Sequence, residues 1–140
     1  MNRHSFLVVD DDPVCVESLK IILETQNINV STAMNIDSLR DVDLSKFHCI
    51  MLDIWLSDSY GEESLEIISK KNYKGIIVLI SGMEKEEINL VSTKGLRAGL
   101  HMANYLRKPI RKSEVVELLS NSLISYEEKI VQFNTSEARL

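Results

Sequence analysis

The sequence predicts a doubly wound α/β domain on a five-stranded parallel sheet, and three observations carry that expectation. Apolar runs of strand length alternate with segments of helical period along the chain. The strand runs are apolar almost throughout, not only at alternate positions, which calls for cover on both faces of the sheet. Several of them end abruptly on polar residues, at the edge where doubly wound sheets keep their sites.

The elements follow in order. Residues 6–9 (Phe-Leu-Val-Val) form the first strand and stop at Asp10-Asp11-Asp12-Pro13. Asp12 as N-cap with Pro13 at the first helical position starts a helix. Along it Val14, Leu19, Ile22 and Leu23 recur near the helical period. Residues 28–33 give a second strand of more mixed character. Residues 36–47 are polar and weakly periodic, so their helix is expected to be short or irregular. A third strand at 49–52 precedes a helix marked by Leu65 and Ile68. A fourth at 76–80 precedes one marked by Ile88, Val91, Gly95 and Ala98, and a fifth strand is expected at 103–107. Right-handed crossovers close this order into the doubly wound form. Beyond Glu114, the positions Val115, Leu119, Leu123, Tyr126, Ile130 and Phe133 keep helical spacing. The implied helix, about 112–133, exceeds the usual ~11–12 residues, and the domain can bury only its first half. The second half either connects to an output domain or pairs with a second copy, and residues 134–140 are expected to be disordered.

Composition narrows the class. A chain of 140 residues suggests one domain with a real core. No apolar run approaches the ~20 residues of a membrane span, and the first residues lack a signal-peptide layout. A net charge of -5 argues against direct nucleic-acid binding. Cys15 and Cys49 lie within apolar patterns without metal-type spacing, which points to reduced core thiols and a cytoplasmic setting. His4, His48 and His101 form no ligand pattern and read as structural.

Capping accounts for Asp12 but leaves Asp10 and Asp11 unexplained. Crowded carboxylates at the end of a buried strand repel one another and persist where a cation or proton relieves them; the competing reading is surplus solvated acid. The other strand ends favour the cation. The third strand runs into Asp53, the fourth into Ser81-Gly82 and the fifth into Lys108-Pro109. Each of these alone is commonplace, since an aspartate after a strand is usually a turn residue. Together they place three acids, a hydroxyl and a lysine on one edge. Carboxylates with a backbone carbonyl and waters suit Mg²⁺. A carboxylate such as Asp53 is an acceptable nucleophile toward an activated phosphoryl group, and that transfer asks mostly for positioning and charge. Ser81 can donate a hydrogen bond to one phosphoryl oxygen, Lys108 can pair with another, and Gly82 is expected to keep the backbone close. The product is an aspartyl phosphate, a switch in charge at the centre of the edge.

These motifs (Val9-Asp10-Asp11, Leu52-Asp53 with Gly61 on the loop beyond, Ile80-Ser81-Gly82, and Tyr105-Leu106-Arg107-Lys108-Pro109) resemble the receiver domain of bacterial two-component response regulators, over about residues 6–123. The resemblance implies a flavodoxin-like (β/α)5 fold and a phosphoryl group taken from a sensor histidine kinase or phosphotransfer protein. It implies Asp53 as phosphoacceptor, with Asp11, Asp53 and the Trp55 carbonyl as direct Mg²⁺ ligands and Asp10 acting through water. Ser81 becomes the switch hydroxyl and Lys108 the phosphate-pairing lysine, followed by a cis peptide to Pro109. Tyr105 takes the place of the aromatic that turns inward with Ser81. Its alternative is a plain strand aromatic packed against the last two helices. The output face would be the fourth helix, fifth strand and fifth helix. Such a module catalyses only its own phosphorylation and dephosphorylation. On this reading residues 1–124 are the receiver and 125–140 a helical extension and tail.

The chain departs from the family pattern at three places. Ser57 stands where receivers commonly have proline, and Tyr60 where they have an acid or amide; both suggest a looser loop and atypical rates. The stretch from Ser81 to Lys108 is longer than usual by about a turn and a half of helix, with the extra residues near 92–100. This long form resembles receivers that precede EAL-type cyclic-di-GMP phosphodiesterase domains, an output expected outside this chain; its alternative is a harmless elongation of the fourth helix. A rival of another class remains. Asp10-Asp11-Asp12-Pro13-Val14 also fits the nucleophile motif of haloacid-dehalogenase-like phosphohydrolases, with Asp10 as nucleophile, though Lys108-Pro109 then occupies the place of their second acidic pair. A receiver-like binding module that is never phosphorylated is the third reading, and no missing residue supports it.

Overall fold

Strand β1 (Ser5–Val9) is the centre from which the molecule is built, because its side chains point alternately into two separate apolar layers. Leu7 and Val9 join one layer, Phe6 and Val8 the other. The computed structural model describes residues 4–56, 59–82 and 84–123. Helix α1 (Pro13–Thr25) follows β1, then β2 (Asn29–Ala33), α2 (Ile36–Asp41), β3 (Cys49–Asp53), the short strands β4 (Trp55–Leu56) and β5 (Ser59–Tyr60), and α3 (Gly61–Lys70). After these come β6 (Ile76–Ser81), α4 (Lys85–Arg97), β7 (His101–Met102), β8 (Leu106–Arg107) and α5 (Lys112–Leu118), which runs on into a π-turn over Leu119–Leu123.

The main sheet runs β2-β1-β3-β6-β7, with β8 also alongside β6, and every pairing in it is parallel. Helices α2, α3 and α4 cover one face through Ile36, Leu39, Leu65, Ile68, Ile88 and Val91. Helices α1 and α5 cover the other through Cys15, Leu19, Leu23, Val115 and Leu118. Both faces being covered explains the continuous apolar runs in β3 and β6, where every residue is buried. Strand β2 is the edge strand and is mostly exposed, which is why its sequence is mixed.

Several local expectations are refined. Asp12 does cap α1, its Oδ1 accepting from the Val14 N–H at 3.0 Å. Val14 itself is 74% exposed and contributes nothing to the core. The polar stretch after β2 yields a six-residue α2, capped by Asn35, and a single 3-10 turn at Leu44–Lys46. Of the long segment near 92–100, residues up to Arg97 belong to α4, and residues 98–100 leave it through Gly99 at a positive φ of 83°.

The fifth strand differs most from expectation. It is two pieces, not one run over 103–107. His101 and Met102 pair with Ile76 and Ile77, whereas Leu106 and Arg107 pair with Ile80 and Ser81, so this strand carries one extra residue, as in a bulge. The slip re-aims the side chains beyond it. Tyr105 packs with Met102 on the α4 side of the sheet, while Leu106 joins the α1/α5 side. Tyr105 also borders a groove lined by Glu114, Glu117 and Leu118 of α5. The second half of the expected C-terminal helix, with Tyr126, Ile130 and Phe133, lies outside the described residues, as do Ser57 and residues 134–140.

Candidate functional site

The carboxyl ends of four strands bring the expected residues together. Asp10 follows β1, anchored by its N–H on the Ala33 carbonyl at 3.2 Å. Asp53 ends β3 beside Ile80. Ser81 ends β6 and pairs with Arg107, and the Lys108 N–H donates to the Ser81 carbonyl at 3.0 Å. The Lys108–Pro109 peptide is cis. The sheet ladder thus dictates the order of the site, because each residue is the last of a strand, as Asp53 and Ser81 are, or follows directly after one, as Asp10 and Lys108 do.

Within that edge the carboxylates are crowded and buried. Oxygens of Asp10, Asp11 and Asp53 all lie within 4.8 Å of one another. Asp10 is fully buried and Asp53 is 5% exposed. The Asp53 carboxylate is held at both ends: Oδ1 accepts from the Trp55 N–H at 3.0 Å and Oδ2 from Lys108 Nζ at 3.1 Å. Asp10 Oδ1 accepts from the Asp12 N–H at 2.9 Å, and its Oδ2 meets Lys108 Nζ at 3.2 Å without a hydrogen bond. Lys108 also lies 3.9 Å from Asp12, so the capping residue doubles as a distant charge partner.

Burial and crowding set the proton affinities. Burial, then the neighbouring Asp10, pushes the Asp53 carboxyl up to about 6. Burial also penalises Asp10, but hydrogen bonds from the Cys15 thiol and the Asp12 N–H outweigh it, with help from Asp53 and Lys108, and leave its carboxyl lowered. Burial opposes the Lys108 charge as well, yet Asp53 and Asp10 hold the ammonium well above its usual range. Cys15 in turn is pushed up to about 12, by burial and then by Asp10.

The donor set fits a hard dication. It is all carboxylate oxygen, and one buried oxygen, Asp10 Oδ2, lacks a hydrogen bond. A Cβ at Gly82 would meet no described protein atom within 4 Å. Across the loop after Asp53, Trp55 pairs antiparallel with Tyr60; residues 57 and 58 between them lie outside the described residues. Two contributors escaped the sequence reading. The apolar period put Cys15 in the core without revealing that it sits near enough to Asp10 to lower that carboxyl. The Trp55–Tyr60 contact depends on a two-residue strand too short to carry a pattern.

The sequence matches the family "Response regulator receiver domain" over residues 6–120. The chain belongs to that family. This receiver is 28% identical over 123 residues to the nitrogen assimilation regulatory protein NtrX of Azorhizobium caulinodans, covering 86% of this chain and 26% of that protein. It is 29% identical over 114 residues to the nisin biosynthesis regulatory protein NisR of Lactococcus lactis, covering 81% of this chain and 47% of NisR. The receiver thus spans half or less of these relatives. Its fold matches the chemotaxis protein CheY4 of Vibrio cholerae with a TM-score of 0.71 at 19% identity, covering 85% of this chain and 98% of CheY4. The receiver fold expected from the strand order is the one observed, and the phosphohydrolase reading is not favoured. Among the described residues no helix is long and apolar enough to cross a membrane.

Proposed function

We propose that this receiver takes a phosphoryl group on Asp53 in a Mg²⁺-dependent reaction and so switches a partner or output domain. The observation that supports this most is the buried Asp53 carboxylate, fixed at both oxygens by the Trp55 amide and Lys108 beside two further acids. In this reading Asp11 and Asp53 hold the ion with the Trp55 carbonyl, and Asp10 acts through water. The bound ion supplies positive charge against the incoming phosphoryl oxygens and relieves repulsion among the acids. An Asp53 oxygen bonds to phosphorus as the bond to the donor's imidazole nitrogen breaks, and the electron pair leaves with the imidazole. Lys108 then pairs with one phosphoryl oxygen and Ser81 donates to another. The donor is a sensor histidine kinase or a phosphotransfer protein, in the cytoplasm, and the chain catalyses nothing beyond its own phosphorylation and dephosphorylation.

Residues 1–124 form the module and 125–140 the extension. The switch face is α4, the split fifth strand and α5, where a groove of about 390 Å³ runs past Tyr105, Leu106, Arg107, Glu114, Glu117 and Leu118. Tyr105, half-buried on the α4 side, moves with Ser81 in this scheme. An EAL-type phosphodiesterase as output, and a weak homodimer through the same face, rest on the long α4 segment and the apolar spacing of the C-terminal sequence alone.

Incubation with acetyl phosphate and Mg²⁺ should give a hydroxylamine-sensitive adduct that Asp53→Asn abolishes. Labelling that survived in that variant but vanished in Asp10→Asn would return the phosphohydrolase reading.

A further inference from the structure

The two-residue strands β4 and β5 sit directly after the phosphoacceptor and pair Trp55 with Tyr60 and Leu56 with Ser59. Strands this short are marginal by themselves. Two contacts support them: Leu56 is buried in the apolar layer, and the Trp55 and Tyr60 rings lie with centroids 4.5 Å apart, tilted by 58°. The two rings have different supports. Trp55 is 51% exposed, whereas Tyr60 packs against the apolar layer under α2, α3 and α4. Tyr60 is also the residue before Gly61, where a Cβ would come within 3.3 Å of the Ile54 carbonyl, so the start of α3 is pressed onto the residue after Asp53. Leu56, the other inner residue of the pair, is buried.

This arrangement bears on Asp53 through the backbone. One of the two groups fixing its carboxylate is the Trp55 N–H; the other is Lys108, a charge on a long flexible stem. The amide is rigid only as far as its loop is. Ile54 and Leu56, buried on either side of Trp55, anchor its own strand, while the Trp55 side chain is half in solvent and the facing strand is held by the core side of Tyr60. We propose that Tyr60 is a positioning residue for the phosphoacceptor: its ring, seated on the core and against Trp55, holds the Trp55 amide on Asp53 Oδ1. The inference rests on Asp53 as phosphoacceptor. It also gives Tyr60, which stands where receivers commonly carry an acid or amide, a role particular to this chain.

A double-mutant cycle on the full chain tests it, using the rate of acetyl phosphate uptake in saturating Mg²⁺ and the melting temperature of each variant. Tyr60→Leu keeps apolar bulk on the core but removes the ring contact, and Trp55→Ala removes the same contact from the exposed side. Each should slow uptake by about three- to tenfold, the range set by one cross-strand aromatic pair. The double variant should be no slower than either single one, because both remove one interaction. Tyr60→Phe, which retains the ring, should rescue the rate. Additive losses, or a Tyr60→Phe rate as low as that of Tyr60→Leu, would overturn the inference. So would parent-like uptake in Tyr60→Leu. Should Tyr60→Leu not fold, Trp55→Ala and Tyr60→Phe alone decide, since parent-like uptake by Trp55→Ala excludes the brace. A parent chain that takes up no phosphoryl group at all overturns the function itself, a result distinct from these.

Discussion

At the residue scale, the site is an arrangement of buried charge that ordinary folding would avoid. Asp53 carries a proton more readily in the fold than in an unfolded chain, because burial and Asp10 oppose its ionisation. A raised folded value of about 6 against an ordinary 3.8 means that its contribution to stability is full below about pH 4 and is lost as pH rises through about 6. Asp10 has the opposite sign, since its lowered value gives stability that is lost on acidification. Asp53→Asn, neutral at every pH, isolates the first effect. In EDTA, this variant should be more stable than the parent at pH 7.5, by on the order of 2 kcal/mol. The gap should close toward pH 4.5. Urea unfolding at the two pH values measures it, and a gap that widened on acidification would contradict the assignment. Lys108 lies 3.1 Å from Asp53 and 3.2 Å from Asp10, so its charge opposes any cation brought to the same acids. Lys108→Ala is therefore expected to impair phosphorylation while leaving Mg²⁺ affinity unchanged or tighter. A calorimetric titration showing affinity reduced tenfold or more, about 1.4 kcal/mol, would count against this geometry.

At the element scale, short helices depend on neighbours for their ends. Helix α2 has six residues, too few to be stable alone. Its N-terminus is capped by Asn35, which accepts from the Ser38 N–H at 2.8 Å. Its C-terminal side is capped from another element: Lys71, just past α3, donates to the carbonyls of Leu39 at 3.2 Å, Val42 at 2.7 Å and Arg40. Cations near the last carbonyls of a helix satisfy groups left without intrahelical donors. Lys71→Met should lower stability by about 1–3 kcal/mol. Lys70→Met, which loses only an exposed ion pair with Glu66, should leave the unfolding midpoint unchanged. Equal midpoints for the two variants would show that the cap is idle. The bulge between β7 and β8 works in the other direction. It gives up ladder pairing to turn Tyr105 toward α4 and Leu106 toward α1 and α5.

For the whole molecule, the two apolar layers make a frame whose carboxyl edge holds the acids, and the proposed switch face is α4, the split strand and α5. The sequence beyond the described residues spaces Tyr126, Ile130 and Phe133 at helical period, and such a stripe, carried past the domain on a helix, would call for a covering surface. The chain is therefore expected to self-associate weakly, with beryllofluoride shifting the equilibrium. Sedimentation at high micromolar concentration reads this directly. A monomer both with and without beryllofluoride would sink the homodimer and leave the connection to an output domain as the use of that stripe.

The sequence by itself determined the alternation of strands and helices along the chain, the two-sided cover of the sheet, and which polar residues follow the strands. These follow from local periodicity and from capping chemistry, as with Asp12-Pro13 and the apolar run before Asp53. The gathering of Asp10, Asp11, Asp53 and Lys108 was legible for the same reason, since parallel strands in a doubly wound sheet bring their carboxyl ends to one edge. Tertiary structure decided the rest. The register slip that aims Tyr105 depends on pairing with β6 across the chain. The effect of Cys15 on Asp10 depends on how α1 packs beneath the strand end. The Trp55–Tyr60 contact depends on a pairing two residues long, and the Lys71 cap on how α3 lies beside α2. Each of these is a meeting of side chain and backbone set by packing between elements, and a pattern read along one element does not contain it.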